Sequence, residues 1–252
     1  MGMKKLIVNA DDFGLNASVT AGIVEAADVG VVCCSTAMAC FPGAEVVIRR
    51  YAQSFRGQLG AHLQLTSGKP CLPGKDIPSL VENTGLFPRR PEQLGSVDPE
   101  QVYREFCAQI ELLRSWSIKP THLDTHHHVH QRPEVFSAIK RLGREYNLPI
   151  RPLSLDMAAE LRSGGVRCAD LCVTSWFNAG PNPTTLLDML DDAFTLIEGI
   201  GTIELMTHPG HCDEELQQLS TYAFPRETEL IVLTSARLIR GLKARGIELG
   251  HW

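Results

Sequence analysis

The stretch "KKLIVNADDFG", residues 4–14, is a short apolar run of strand length that turns polar at Asp11-Asp12, and a helical pattern near 17–29 follows it. Working outward, apolar segments of the same kind recur at 31–39, 59–65, 121–127, 148–155, 170–177, 202–208 and 247–250. Helical patterns separate several of them. The clearest covers 98–116, where Asp98 suits a cap, Pro99 suits the first helical position, and Val102, Phe106, Ile110 and Leu113 form one apolar stripe. Others run near 43–55, 133–146, 184–198 and 226–245. Strands alternating with helices imply parallel pairing through right-handed crossovers. Eight candidate strands predict an α/β fold, a single-domain, distorted (β/α) barrel of the TIM type.

One segment breaks the rhythm. Residues 66–97 are rich in Gly and Pro and carry no sustained period. A loop of that length inside a compact domain is usually functional or disordered. It follows the third strand, so in a barrel it would cover the active-site face. No repeat, low-complexity tract or linker divides the chain, and 1–252 reads as one domain with this insertion.

Composition narrows the function. With 252 residues the chain is long enough for a substantial core, and its 44% hydrophobic and 21% charged residues are those of a globular protein. A formal net charge of -5 gives no electrostatic case for nucleic acid or an anionic membrane. The apolar run after Lys4-Lys5 is too short for a secretory signal, and nothing reaches the ~20 apolar residues of a membrane span. The eight cysteines show no CxxC pair or zinc-ribbon spacing, and most sit in apolar runs such as "VVCCSTAMAC". A reduced, cytoplasmic protein is expected.

Polar residues fall at the carboxyl ends of these strands, the positions from which barrels draw their catalytic groups. Asp11-Asp12 ends the first, His62 lies in the third between Ala61 and Leu63, His126 falls near the end of the fourth, and His208 ends the seventh. The segment "HLDTHHHVH" (122–130) alone holds five of the nine histidines. Neutral imidazole is a common ligand of transition metals. Each element has a bland explanation taken singly. Paired aspartates before a helix are usually caps, a histidine in an apolar strand is usually a hydrogen-bonded core residue, and His208-Pro209-Gly210 suits an ordinary turn. The weight lies in all of them converging on one end of one barrel.

The motifs "LIVNADDFGLN", "GAHLQLTSGKP", "KPTHLDTHHHVH", "ELMTHPG" and "YAFPRETELIVLTS", in that order along essentially the whole chain, resemble the YdjC-like carbohydrate deacetylases, and within them the chitooligosaccharide deacetylases. The resemblance implies a distorted (β/α) barrel and metal-dependent hydrolysis of an N-acetyl group from an amino sugar. It places metal ligands at Asp12, His62 and His126, a general base at Asp11, and a general acid at His208. Arg151 is implied to orient Asp11. It also implies magnesium as the ion, although two imidazoles and one carboxylate suit zinc better, and zinc is kept as the alternative. A homodimer is implied as well.

Around that core, Asp124 and His128 are expected to share a strand face with His126, and Asp124 is the candidate to orient a ligating imidazole. Trp176 is the candidate platform for a sugar ring, with Phe177, Tyr222 and Phe224 nearby. Two other readings compete. An amidohydrolase acting on a cyclic amide or phosphoester would use an HxH pair, which His126/His128 and His128/His130 offer, but no lysine stands at a plausible bridging position for two metals. A non-catalytic saccharide-binding relative would be expected to lack Asp11 or His208, and both are present.

Overall fold

The computed structural model describes residues 3–55, 57–177 and 180–252. Among the described residues, seven strands, all parallel, make one curled sheet: β1 (Lys4–Phe13), β2 (Cys34–Ala37), β3 (Leu59–Leu63), β4 (Leu123–Thr125), β5 (Leu171–Val173), β6 (Gly201–Thr207) and β7 (Ile247–Leu249). Their order is β4-β3-β2-β1-β6-β5, with β7 beside β1. β6 pairs along one edge of β1 from Lys4 to Ala10. The other edge is shared, β7 taking Lys4 to Leu6 and β2 taking Asn9 to Phe13. Leu6, Val8, Ala10, Ile203, Leu205, Ala61 and Leu63 fill the layer between sheet and helices and are essentially inaccessible.

The helices are α1 (Ala17–Val29), α2 (Ala44–Tyr51), α3 (Pro99–Ser115), α4 (Pro133–Glu145), α5 (Leu155–Ser163), α6 (Pro183–Leu196), α7 (Glu214–Leu219), α8 (Pro225–Leu233) and α9 (Ala236–Ala244). The stripe expected on α3 is buried, and Asp98 caps it by accepting from the amides of Glu100 and Gln101. The helix expected over 226–245 is instead two. Thr234 ends α8 and the Ser235 hydroxyl accepts from Leu238, restarting the chain as α9.

The strand expected at 148–155 does not form. Ile150 alone bridges Leu123 of β4. Pro149 and Pro152 flank it, and each lacks the N–H a longer ladder needs. Ile150 nevertheless spans the gap between the sheet edges: Leu123 N–H donates to Pro149 O, Arg151 N–H to Leu123 O, and Ile150 N–H to Arg167 O at 3.0 Å. The result is a distorted, incompletely hydrogen-bonded (β/α) barrel. Residues 66–97 form an irregular excursion with two short 3-10 turns, Gly74–Asp76 and Pro91–Gln93. Glu105 of α3 pins its start by accepting from the amides of Cys71 and Leu72.

Candidate active site

Successive residues of a strand point to opposite faces, so Asp11 and Asp12 could not both face the barrel mouth from a regular strand. The register of β1 against β2 shifts between Ala10 and Phe13, and Asp12 takes a left-handed backbone with φ 69°. Aspartate tolerates that conformation better than most residues, and its use at a buried position is a mark of a functional site. Neither aspartate caps α1. Asn16 does, accepting from Val19. Both carboxylates are buried instead, 1% and 3% exposed.

Asp11 is gripped by Arg151, whose Nη1 and Nη2 donate to Oδ2 and Oδ1 at 2.7 and 2.6 Å. The guanidinium also reaches Asp124 Oδ2 at 2.8 Å and Glu204 Oε1 at 2.8 Å. One buried cation thus ties together three strands and three carboxylates. Burial opposes the Asp11 charge, but the guanidinium outweighs it and holds the group far below the usual carboxylate range. Glu204 is the odd member. Its Oε2 has no hydrogen-bond partner among the described residues, and burial, only partly offset by Arg151, pushes its carboxyl up to about 7.

Asp12 faces the other way. Its Oδ2 accepts from Arg226 of α8 at 2.5 Å, while Oδ1 has no hydrogen bond among the described residues and lies 3.4 Å from His62 Nε2. His62 Nδ1 is 2.7 Å from Asp124 Oδ1, which leaves Nε2 turned toward Asp12. Burial works against a proton on this ring, yet Asp124, Asp11 and Asp12 together push it up to about 10. His126 stands beside it, ring centroids 5.6 Å apart, with Nδ1 against Thr66 O at 3.1 Å. Two imidazoles with Nδ1 held and one orphaned carboxylate oxygen are the donor set a divalent cation takes, each ligand oriented from behind. Asp11, His62 and Asp124 also bring ligand atoms within 4.8 Å of one another. A cation in that triangle would meet the Arg151 guanidinium, so the Asp12 side is the better fit.

The histidine cluster is not a strand face. β4 ends at Thr125, and His126–Gln131 forms a 3-10 turn in which His127 and His128 have φ of 55° and 52°. His128 therefore does not share a strand face with His126 as expected, and Asp124, expected beside His126, hydrogen-bonds His62 instead. His122 has Nε2 on Asn9 Oδ1 and Nδ1 on the Thr121 hydroxyl. His130 has Nδ1 on Thr125 and Nε2 on Arg151 O. With both nitrogens engaged, neither is free to ligate, which removes His128/His130, one of the two HxH pairs an amidohydrolase reading could use.

His208 follows β6, with Nε2 3.9 Å from Asp11 Oδ2. Glu229 of α8 fixes its backbone by accepting the His208 N–H at 2.6 Å and also takes the Tyr222 hydroxyl at 2.6 Å. The turn that follows is pressed against α1: a Cβ on Gly22 would come within 2.6 Å of Gly210 Cα. Burial lowers the His208 imidazole to about 4. The sugar platform expected at Trp176 is corrected by its burial. Trp176 is 0% exposed, so its faces are out of reach of a ligand. The adjacent Phe177 is partly exposed and packs on Tyr222 and His208 at 4.2 and 5.1 Å between centroids.

A groove of about 340 Å³ opens onto Asp12 and His126, lined also by Phe41, Arg226, and Ser67, Arg89 and Arg90 of the long loop. Sequence reasoning missed Glu204, Arg226, Glu229 and Asn9. Glu204 and Asn9 carried a signal, each a polar residue placed between apolar neighbours in a strand.

Fold and site define an α/β barrel whose mouth holds a buried carboxylate–imidazole centre backed by an arginine. The chain belongs to the YdjC-like protein family, whose model matches residues 5–244. A carbohydrate deacetylase of Geobacillus stearothermophilus is 38% identical over 247 residues, 96% of this chain and 94% of that protein. A crystal structure from Enterococcus faecalis V583, described as a cellobiose-phosphate cleavage protein, superposes with a TM-score of 0.88 at 34% identity, covering 99% of this chain and 97% of that one. A family 4 acetyl xylan esterase from Clostridium thermocellum shares the fold, with a TM-score of 0.51 at 15% identity over 98% of this chain and 87% of that one.

Proposed function

We propose that the chain is a metal-dependent carbohydrate N-deacetylase that hydrolyses the N-acetyl group of N-acetylglucosamine-containing oligosaccharides, chitooligosaccharides among them, and releases acetate. The supporting observation is the pairing of two carboxylates with separate partners: Asp12 turned toward His62, Asp11 turned toward Arg151 and His208. Relatives named carbohydrate deacetylase, similar over nearly the whole chain, support the same reading.

Asp12, His62 and His126 would hold the ion, magnesium by the family resemblance or zinc by the ligand chemistry. When bound, the ion would supply Lewis acidity toward an acetyl carbonyl and toward water. Asp11 takes the proton of the attacking water. Arg151 keeps both Asp11 oxygens in place without accepting a proton itself. The proton Asp11 has taken reaches the departing amine by way of His208, whose neutral Nε2 lies 3.9 Å from Asp11 Oδ2 and takes it up before passing it on, so that the product leaves as a free amino group. Phe177 and Tyr222 flank the imidazole and exclude water on that side. Arg226 steadies the second oxygen of Asp12.

The same reading places the enzyme in the cytoplasm as a homodimer, which sedimentation would test. No helix among the described residues is long and apolar enough to cross a membrane. The deciding experiment is acetate release from N-acetylglucosamine, diacetylchitobiose and longer oligomers by metal-stripped protein, repleted separately with magnesium and zinc. Release that requires a metal and fails in His126→Ala supports the assignment. No release from any of these sugars by folded, metal-loaded protein overturns the chitooligosaccharide assignment and turns the search to other acylated amino sugars.

A further inference from the structure

At the opposite end of the barrel from this site, a second group of ligating side chains comes together from the two ends of the sequence. The arrangement follows from the shared edge of β1. Because β7 takes the first half of that edge and β2 the second, the end of one strand meets the start of the other over Leu6 and Val8. Gly250 N–H donates to Leu6 O at 2.9 Å, and Cys33 N–H donates to Val8 O at 3.0 Å. The segment Gly250–Trp252 is then seated firmly. The Cys33 thiol donates to Gly250 O at 2.9 Å, Lys5 Nζ donates to His251 O at 2.7 Å, and the Trp252 ring stacks on His122 with centroids 5.1 Å apart. A Cβ at 250 would come within 1.9 Å of the Lys5 side chain, which would then have to move off its bond to His251 O.

This seating carries His251 onto the cysteine pair. Cys33 Sγ, Cys34 Sγ and a ring nitrogen of His251 all lie within 4.8 Å of one another, with Cys34 Sγ 3.9 Å from His251 Nδ1. Tetrahedral zinc with thiolate and imidazole ligands places ligand atoms roughly 3.5–4 Å apart, from bond lengths of about 2.3 and 2.0 Å. We propose that Cys33, Cys34 and His251 bind a thiophilic divalent cation such as zinc, which clamps the segment after β7 to the floor of the barrel. Two sulfurs and one imidazole select zinc, cadmium or cobalt over magnesium. His251 is exposed, so a water completes the fourth position from outside.

Cys40, Cys71 and Glu105 form another group of similar compactness. There the carboxylate already accepts from Cys71, Leu72 and Gln109, and serves to hold the long loop.

The test is titration of metal-stripped, reduced protein with cobalt and then cadmium, reading thiolate-to-metal charge transfer in the ultraviolet. The oxygen and nitrogen ligands of the barrel mouth give no such band. The band is expected to saturate by two equivalents, one of them taken without a band by the barrel mouth, the double variant Cys33→Ser, Cys34→Ser to abolish it, and His251→Asn to weaken binding by about 10–100-fold or more. Cadmium should also protect Cys33 from alkylation, read by peptide mass. His251→Asn should leave acetate release unchanged. No band in the native chain, or a band untouched in the double variant, overturns the proposal. If the double variant does not fold, unaltered affinity in His251→Asn with unprotected Cys33 overturns it equally.

Discussion

Asp124 Oδ1 lies 2.7 Å from His62 Nδ1, while Oδ2 of the same carboxylate accepts from Thr36 at 2.9 Å and from Arg151 at 2.8 Å. One side chain thus orients an imidazole on the Asp12 side and the guanidinium on the Asp11 side. Groups behind a ligating imidazole usually contribute 10–100-fold in metal affinity. Asp124→Asn keeps the shape and removes the charge, so metal binding measured by calorimetry should weaken by about that factor in a folded protein. Unchanged affinity would mean that His62 does not ligate.

The two neighbouring aspartates should separate cleanly. Asp12→Asn is expected to lose metal binding together with activity. Asp11→Asn should bind metal as before and lose about 10²–10⁴ in kcat, the usual worth of a positioned general base. Equal loss of metal binding in both would refute the division of roles.

Glu204 touches Arg151, so its effect reaches Asp11 through the guanidinium. Glu204→Gln retains an acceptor for Arg151 Nε, whereas Glu204→Leu removes it and frees the guanidinium to shift. A displacement of about 1 Å can cost 10² in rate. The leucine variant should lose roughly that much kcat with KM little changed, and the glutamine variant should recover most of it. Arg151→Met is a different matter: it leaves three carboxylates buried without their cation and should cost at least about 3–5 kcal/mol of stability.

Acid should unfold the metal-free protein early. Burial lowers six imidazoles, His122, His126, His127, His128, His130 and His208, those with resolved values falling to about 3 or 4. Their folded pKa lies below the unfolded one, so unfolding takes up protons and stability falls as pH drops below about 6.5. Three buried carboxyls, Glu105, Glu204 and Glu229, are raised and act in the opposite sense above about 4.5. The imidazoles outnumber them. A loss of about 1.4 kcal/mol per pH unit for each net proton follows, read as a denaturation midpoint falling from pH 6.5 toward 4.5. His62 works the other way, its contribution disappearing as pH rises toward 10. A midpoint that is flat or rises on acidification would contradict the buried, neutral state of the cluster.

Much of the barrel was legible because its signal is local. The capping Asp98 and the stripe through Val102 and Leu113 are set by neighbours in sequence, and so are the apolar runs of β1 and β6. The failures have non-local or stereochemical causes. Two prolines around Ile150 leave the apolar pattern intact while removing the ladder. The left-handed His127 and His128 break a strand that composition alone extended. Trp176 and Phe177 are adjacent and both aromatic, and only packing decides that the first is core and the second lies beside His208. Arg226 lies more than 200 residues from Asp12 in the chain, and spacing carries no sign of the pairing.

The joint at Ile150 has a consequence for how the enzyme fails. The residue after it supplies the guanidinium on which Asp11, Asp124 and Glu204 converge, yet the backbone there is held by a few isolated hydrogen bonds between prolines. Sub-global opening is drawn to such sparsely bonded segments. A brief parting of this one seam would release all three carboxylates at once while the remaining sheet stays paired. Heat inactivation should therefore precede the loss of helical signal, and amide exchange at Ile150 and Arg151 should be fast beside that of Leu6 to Ala10.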